Sequence, residues 1–183
     1  MCVHHHWNIS NILSASRILL LFPIGWFLFQ QTESGRNISL ILMLFAICTD
    51  FFDGYLARKR NQVTDFGKIL DPLADKICIG VIGIALTVLG KIPLWFLLLI
   101  IIRDVLIFSG GMYMKFSKKI LLVSNQTGKW TVVVVACTIL VSLFQPQTIS
   151  LLFTVLLVIS SVLLVFSFVL YLKRFLETIH RTS

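Results

Sequence analysis

Four aspartates stand at fixed spacing between residues 50 and 75: Asp50 and Asp53 three apart, Asp71 and Asp75 four apart. On a helix, both spacings keep a pair on one face. The chain has only eight acidic residues, and these four are half of them, set between apolar flanks. Carboxylates at or near membrane depth are costly, so they mark function by default, and something positive must neutralise them. Carboxylates without thiolates or clustered imidazoles suit hard cations such as Mg²⁺, Mn²⁺ or Ca²⁺. Four negative charges balance two divalent ions, and two such ions close together can clamp the attacking and leaving oxygens of a phosphoryl transfer.

The residues between the aspartates fit that chemistry. The stretch opens Asp50-Phe-Phe-Asp53-Gly54-Tyr-Leu-Ala57-Arg58, and Gly67 stands four residues before Asp71. Gly54 lacks a side chain where a ligand or a backbone must come close, and Ala57, one turn further, is also small. Arg58 can fork onto a phosphate with two parallel hydrogen bonds. Taken alone, each glycine would read as ordinary helix packing; the aspartates around them shift the balance towards a ligand site.

Asp50 to Asp75 resembles the signature of the CDP-alcohol phosphotransferase family, with every defining position present. The Asn8–Arg17 lead-in and the run Asp71-Pro-Leu-Ala-Asp75-Lys76 resemble its bacterial phosphatidylglycerophosphate synthase and cardiolipin synthase branch. The resemblance implies transfer of a phosphatidyl group from CDP-diacylglycerol to an acceptor hydroxyl, with release of CMP. It implies that Asp50, Asp53, Asp71 and Asp75 hold two divalent cations, Mg²⁺ or Mn²⁺, at the donor pyrophosphate. Asp75 would also be the catalytic base, and Gly54, Ala57, Arg58 and Gly67 would line the CDP site. It further implies a homodimer. The acceptor is glycerol 3-phosphate or phosphatidylglycerol, with the former favoured on general prevalence.

The elements that must carry these residues are membrane helices. The 183 residues are 57% hydrophobic and 13% charged, against about 25% charged in a soluble domain. A span needs about 20 mostly apolar residues, and six runs qualify: Ile12–Gln30, Ile38–Leu56, Gly67–Leu89, Pro93–Met114, Trp130–Phe144 and Ile149–Leu172. Pro23 is a possible kink in the first. The second run ends inside the aspartate motif and the third begins inside it. Gln31–Arg36, Gly90–Lys91 and Gln145–Thr148 read as short turns, and Lys115–Lys129 as a longer basic connection. The expected architecture is an all-α integral membrane protein, a bundle of six transmembrane helices forming a single domain over residues 1–183, with a polar segment at 1–10. Met1 to Ser10 lacks the basic start of a cleavable signal, so the first span is expected to remain.

The charge pattern orients this bundle. On the side that holds both termini stand Arg17, Arg58, Lys59, Arg60, Lys68, Lys76, Lys115, Lys118, Lys119, Lys129, Lys173, Arg174 and Arg181; the other side has Arg36 and Lys91. The basic side is cytoplasmic, so both termini and the active site should face the cytoplasm from the cell membrane. The net charge of +8 is therefore a matter of lipid and phosphate partners, and no nucleic acid is expected. Cys48, Cys78 and Cys137 read as small core residues, with no disulfides. His4, His5 and His6 read as a polar terminal tract rather than a metal site.

Two further polar features fall outside the motif. Arg103 and Asp104 interrupt the apolar run Ile100-Ile-Ile-Arg-Asp-Val. Neighbours on a helix do not face each other, so the two are expected to serve different partners, Arg103 an acceptor phosphate and Asp104 a basic group such as Lys129 or Arg103 of the same site; a structural buried ion pair is the blander alternative. Lys129, in Thr127-Gly-Lys-Trp-Thr131, opens the fifth span and could bind phosphate or anchor the helix. An Arg-Asp pair at this place resembles cardiolipin synthases. Outside the enzyme class, a cation- or proton-coupled transporter is the rival reading of intramembrane aspartates, though no inverted repeat supports it.

Overall fold

The computed structural model describes the backbone of residues 9–59, 67–117, 126–144 and 146–182. It describes their side chains except at 9–15, 17, 50–59, 67–75, 115–117, 146–149 and 180–182. Among the described residues there are six α-helices and no strand: α1 Ile9–Phe29, α2 Glu33–Lys59, α3 Gly67–Val88, α4 Leu94–Ser117, α5 Gln126–Ser142 and α6 Pro146–Thr182. The expected helix count is met, but most helices outrun their apolar segments. Two of them, across Leu94–Met114 and Ser150–Ile179, are long and apolar enough to cross a membrane. The apolar parts of α1, α3 and α5 are shorter.

The expected turn at Gln31–Arg36 is a correction: most of it is the first turn of α2. The chain leaves α1 through Gln31, whose φ of 52° is left-handed, with its N–H donating to Leu28 O at 3.2 Å. Thr32 then caps α2. Its Oγ1 accepts from the Gly35 N–H at 3.0 Å, and its carbonyl accepts the Arg36 N–H at 2.9 Å. A cap of this kind satisfies donors that the helix start leaves open. The polar run Glu33-Ser-Gly-Arg36 is therefore helical despite its composition. Gly35 is required here, since a Cβ on it would sit 2.6 Å from the Phe27 carbonyl oxygen. The Gly90–Lys91 turn occurs as expected, with Gly90 at φ 69°. Gln145–Thr148 does not stay a turn, because α6 begins at Pro146, where proline's fixed φ suits the first helical position.

The chain folds as two compact units, Met1–Leu89 and Gly90–Ser183. In the first, α1 packs against both α2 and α3. Ile24, Leu28 and Met43 are buried there, and the buried Ser39 Oγ donates to the Ile24 carbonyl at 3.2 Å. In the second, α6 packs against both α4 and α5. The buried faces of α5 and α6 mix hydroxyls with apolar groups such as Val135, Ile139 and Leu164. Thr131, Thr138 and Ser142 of α5 and Ser160 and Ser167 of α6 are all buried. Thr138 Oγ1 and Ser160 Oγ lie 2.6 Å apart. One hydroxyl donates to the other, which in turn donates to the carbonyl four residues back in its own helix, Val134 O at 2.8 Å from Thr138 or Leu156 O at 2.6 Å from Ser160.

Outward faces are apolar on every helix: Phe22 and Trp26 on α1, Phe45 on α2, Val88 on α3, Ile102 on α4, Trp130 on α5 and Leu151 on α6 are all exposed. Large apolar groups outside and small hydroxyls between helices suit an apolar solvent. There, small residues let helices approach, and interhelical hydrogen bonds supply part of the association. The cysteines follow the same pattern and correct the sequence expectation. Cys48 and Cys137 are exposed and only Cys78 is half-buried; none of the three is in a disulfide.

Candidate active site

Both halves of the aspartate motif lie on helix backbone within the first unit. Asp50, Asp53, Gly54, Ala57 and Arg58 occupy the last turns of α2, which ends at Lys59. Gly67 opens α3, which carries Asp71 and Asp75 in its second and third turns. The spacing of three and of four therefore acts on real helices, as the sequence required. α1 is the common support, since it packs along both helices. The side chains of Asp50, Asp53, Ala57, Arg58, Asp71 and Asp75 and the surroundings of Gly54 and Gly67 lie outside those described. Among the described residues no three of His, Cys, Asp or Glu gather around a point that could hold a metal; His4, His5 and His6 are outside the described residues. By chemistry the donor set fits a hard divalent cation: four carboxylates within one segment and no soft ligand among them. Pro72, between two of them, has no N–H to give the carbonyl of residue 68, so that oxygen loses its usual helical partner.

The second unit gathers its own polar group around Arg103. This residue is 9% exposed and lies midway along α4. Its Nη1 is 2.6 Å from Asp104 Oδ1, and its Nη2 donates to Ser167 Oγ of α6 at 2.8 Å. Arg103 and Asp104 pair with each other rather than serving only separate partners, the alternative that the sequence left open. The rule that adjacent helical residues diverge describes short side chains, whereas arginine is long enough to curl back across the 100° between them. The pairing has a clear physical reason. A guanidinium buried in an apolar helix needs a counter-charge, and the nearest carboxylate supplies it.

Other elements close on the same group. A Cβ added to Gly128, in the first turn of α5, would stand 3.6 Å from Arg103 Nη2 and 3.8 Å from Ser167 Oγ. Lys129, its neighbour, is exposed. One turn further along α4, Tyr171 Oη donates to Ile107 O at 3.0 Å, and Gly110 leaves room for it: a Cβ there would be 2.9 Å from Tyr171 Oη. The small surface at Gly110–Gly111 thus serves α4–α6 packing within the chain. Two buried polar atoms near this group have no partner among the described residues, Arg103 Nε and Thr127 Oγ1.

Ser167, Gly128 and Thr127 do not stand out in the sequence as site residues. A weak signal exists. Thr131 and Thr138 repeat at seven residues, as do Ser160 and Ser167, which is what a buried polar stripe on a packed helix pair requires.

Comparison with known proteins reaches both units. A family model described as CDP-alcohol phosphatidyltransferase matches residues 7–173. A CDP-diacylglycerol–glycerol-3-phosphate 3-phosphatidyltransferase of Aquifex aeolicus is 35% identical over 176 residues, which cover 92% of this chain and 96% of that protein. The protein of the same description from Mycoplasma genitalium is 33% identical over 154 residues, 75% of this chain and 65% of its own length. A cardiolipin synthase (CMP-forming) of Rattus norvegicus is 36% identical over 111 residues, 60% of this chain and 36% of that protein. Against rickettsial relatives the match spans little more than half of their length.

Proposed function

Because the chain belongs to the CDP-alcohol phosphatidyltransferase family, we propose that it transfers the phosphatidyl group of CDP-diacylglycerol to glycerol 3-phosphate and releases CMP. The observation that carries this reading is the complete motif, Asp50 to Asp75, set on two helices that share α1 as support. The description of the Aquifex relative, similar over 92% of this chain, points to the same acceptor. The family match also weighs against the transporter reading.

In this reaction the acceptor oxygen forms a bond to the phosphorus that bears diacylglycerol. The bond from that phosphorus to the oxygen retained by CMP breaks. Asp75 takes the acceptor's proton, as a carboxylate at the edge of the acidic cluster is suited to do. Asp50, Asp53, Asp71 and Asp75 would hold two divalent cations, Mg²⁺ or Mn²⁺, whose contribution is to stabilise negative charge on the pyrophosphate and on the leaving CMP. Gly54, Ala57 and Gly67 leave room for the cytidine nucleotide, and Arg58 binds its phosphate. Arg103 and Lys129 receive the phosphate of the acceptor. Six membrane spans with both termini in the cytoplasm would open this site to the soluble substrates, and the protein would act as a homodimer in the cell membrane.

A second acceptor, phosphatidylglycerol, is favoured by one observation. The Arg103 guanidinium is already partly neutralised by Asp104 at 2.6 Å. A cation so compensated suits the single charge of a phosphodiester better than the near-double charge of a phosphomonoester. An acceptor panel separates the two. Purified protein in detergent with CDP-diacylglycerol and Mn²⁺ is given glycerol 3-phosphate or phosphatidylglycerol, and lipid products are separated by chromatography. Phosphatidylglycerophosphate formed from the first supports the main reading. Cardiolipin formed only from the second moves the acceptor to the alternative.

A further inference from the structure

The guanidinium of Arg103 is held at two of its three nitrogens. Nη1 meets Asp104 Oδ1 at 2.6 Å and Nη2 donates to Ser167 Oγ at 2.8 Å, while Nε is buried without a partner among the described residues. A charged donor kept buried and unpaired is costly, and it persists where something else supplies the acceptor. The first turn of α5 lies against this group at Gly128. Its leading amides have no helical acceptors of their own and carry the positive end of the helix dipole. Thr127, beside Gly128, adds a buried hydroxyl oxygen without a partner among the described residues. The start of α5 and the middle of α4 thus leave two polar side-chain atoms without a partner among the described residues, Thr127 Oγ1 and the Nε of an arginine only 9% exposed.

Resting on the transferase reading above, we propose that Ser167 is a positioning residue for the acceptor. By accepting from Nη2 of Arg103, its hydroxyl fixes the rotation of the guanidinium so that Nε is presented to an oxygen of the acceptor's phosphate. Gly128 sets the α5 backbone beside that group, where even a Cβ would make only ordinary contact with Nη2 at 3.6 Å. Ser167 itself touches Arg103 and no reacting atom. Asp104 holds the other end of the fork, so the guanidinium can swing out of register only if the Ser167 contact is lost.

The test uses the full-length protein in detergent, with two readouts. The first is the concentration of glycerol 3-phosphate that half-saturates its effect on the thermal midpoint of metal-free protein. The second is steady-state CMP release with Mn²⁺. Ser167→Ala is expected to raise both the half-saturating concentration and the KM for glycerol 3-phosphate about tenfold, the scale of one hydrogen bond to a charged group. The KM for CDP-diacylglycerol should stay within about twofold. If Ser167 acts through Arg103, the same substitution made in an Arg103→Lys background adds less than about twofold, the sign of coupled residues. A Ser167→Ala protein that binds and turns over glycerol 3-phosphate like the wild type overturns the inference alone. So does an equal rise in both KM values, which would report a general loss of packing. Wild-type protein that binds glycerol 3-phosphate in a Ser167-dependent way yet releases no CMP would leave the inference standing and remove the transferase reading. Absence of any saturable effect on the wild type overturns the inference outright.

Discussion

Arg103 and Asp104 are adjacent on α4, yet Nη1 of the first lies 2.6 Å from Oδ1 of the second, with side chains only 10% and 13% exposed. Burying two charges is costly even when they meet, and removing one partner is worse than removing both. Asp104→Ala should therefore lower stability by roughly 3 kcal/mol, the lower end for a broken buried pair. The double variant Arg103→Met, Asp104→Leu should recover most of that loss and still fail to use a phosphorylated acceptor. Chemical unfolding in mixed micelles reads the first effect and CMP release the second. A double variant as unstable as Asp104→Ala would show that the pair holds the fold together rather than serving a ligand.

Gly35 makes a prediction of the opposite kind, about room rather than charge. Its missing Cβ leaves 2.6 Å to the Phe27 carbonyl oxygen, a backbone atom that cannot step aside. Gly35→Ala should cost about 1–3 kcal/mol, the range for overpacking, although alanine is the better helix former. Ser34→Ala, at an exposed position beside it, should leave the thermal midpoint nearly unchanged. Equal midpoints for the two variants would mean that α1 and α2 approach less closely than described.

The hydroxyls between α5 and α6 set a third expectation. Thr138→Val keeps the shape but removes the 2.6 Å contact with Ser160. Interhelical hydrogen bonds in membranes are worth about 0.6 kcal/mol on average and up to about 1.7, so a loss near 1 kcal/mol is expected. Thr154→Val, where the exposed hydroxyl bonds only its own helix, should be close to neutral. The difference between the two is measurable by unfolding the protein under identical detergent conditions.

How much of this is legible in the sequence follows from the reach of each signal. Apolar runs locate all six helices, because their length and composition are local properties. Helix ends escape where local composition misleads. Glu33 to Arg36 look like a turn, yet Thr32 caps them into helix, and α6 runs on through the charged Lys173-Arg174 to Thr182. The aspartate motif is legible as residue identities at fixed spacing, and its placement on α2 and α3 agrees. The Arg103–Asp104 pair is legible only as an alternative, because spacing rules ignore how far an arginine can bend. Ser167 shows only as a seven-residue repeat with Ser160, since its partner lies 64 positions away and no periodicity links two helices to each other. The exposure of Cys48 and Cys137 is hidden for a related reason. In a chain that turns its apolar groups outward, a small thiol in an apolar run is as ready to face lipid as core.

Metal dependence is expected to follow the motif. Chelation with EDTA should abolish CMP release, and Mn²⁺ or Mg²⁺ should restore it, whereas Zn²⁺ should not, because the donors are all hard carboxylates. Asp50→Asn and Asp53→Asn should each weaken metal binding, raising the Mn²⁺ concentration needed for half-maximal activity by about tenfold or more. Activity that survives chelation would remove the two-ion proposal while leaving the family assignment intact.

A transferase built on the aspartate motif stands or falls on CMP release from CDP-diacylglycerol, with Mn²⁺ and glycerol 3-phosphate, for the wild type and for Asp71→Asn side by side. Steady CMP production is expected from the wild type. In the variant it should fall by at least about a thousandfold (some 4 kcal/mol of barrier), with helical content and thermal midpoint retained. Turnover by Asp71→Asn within about tenfold of the wild type, less than 1.4 kcal/mol of barrier, would contradict the assignment.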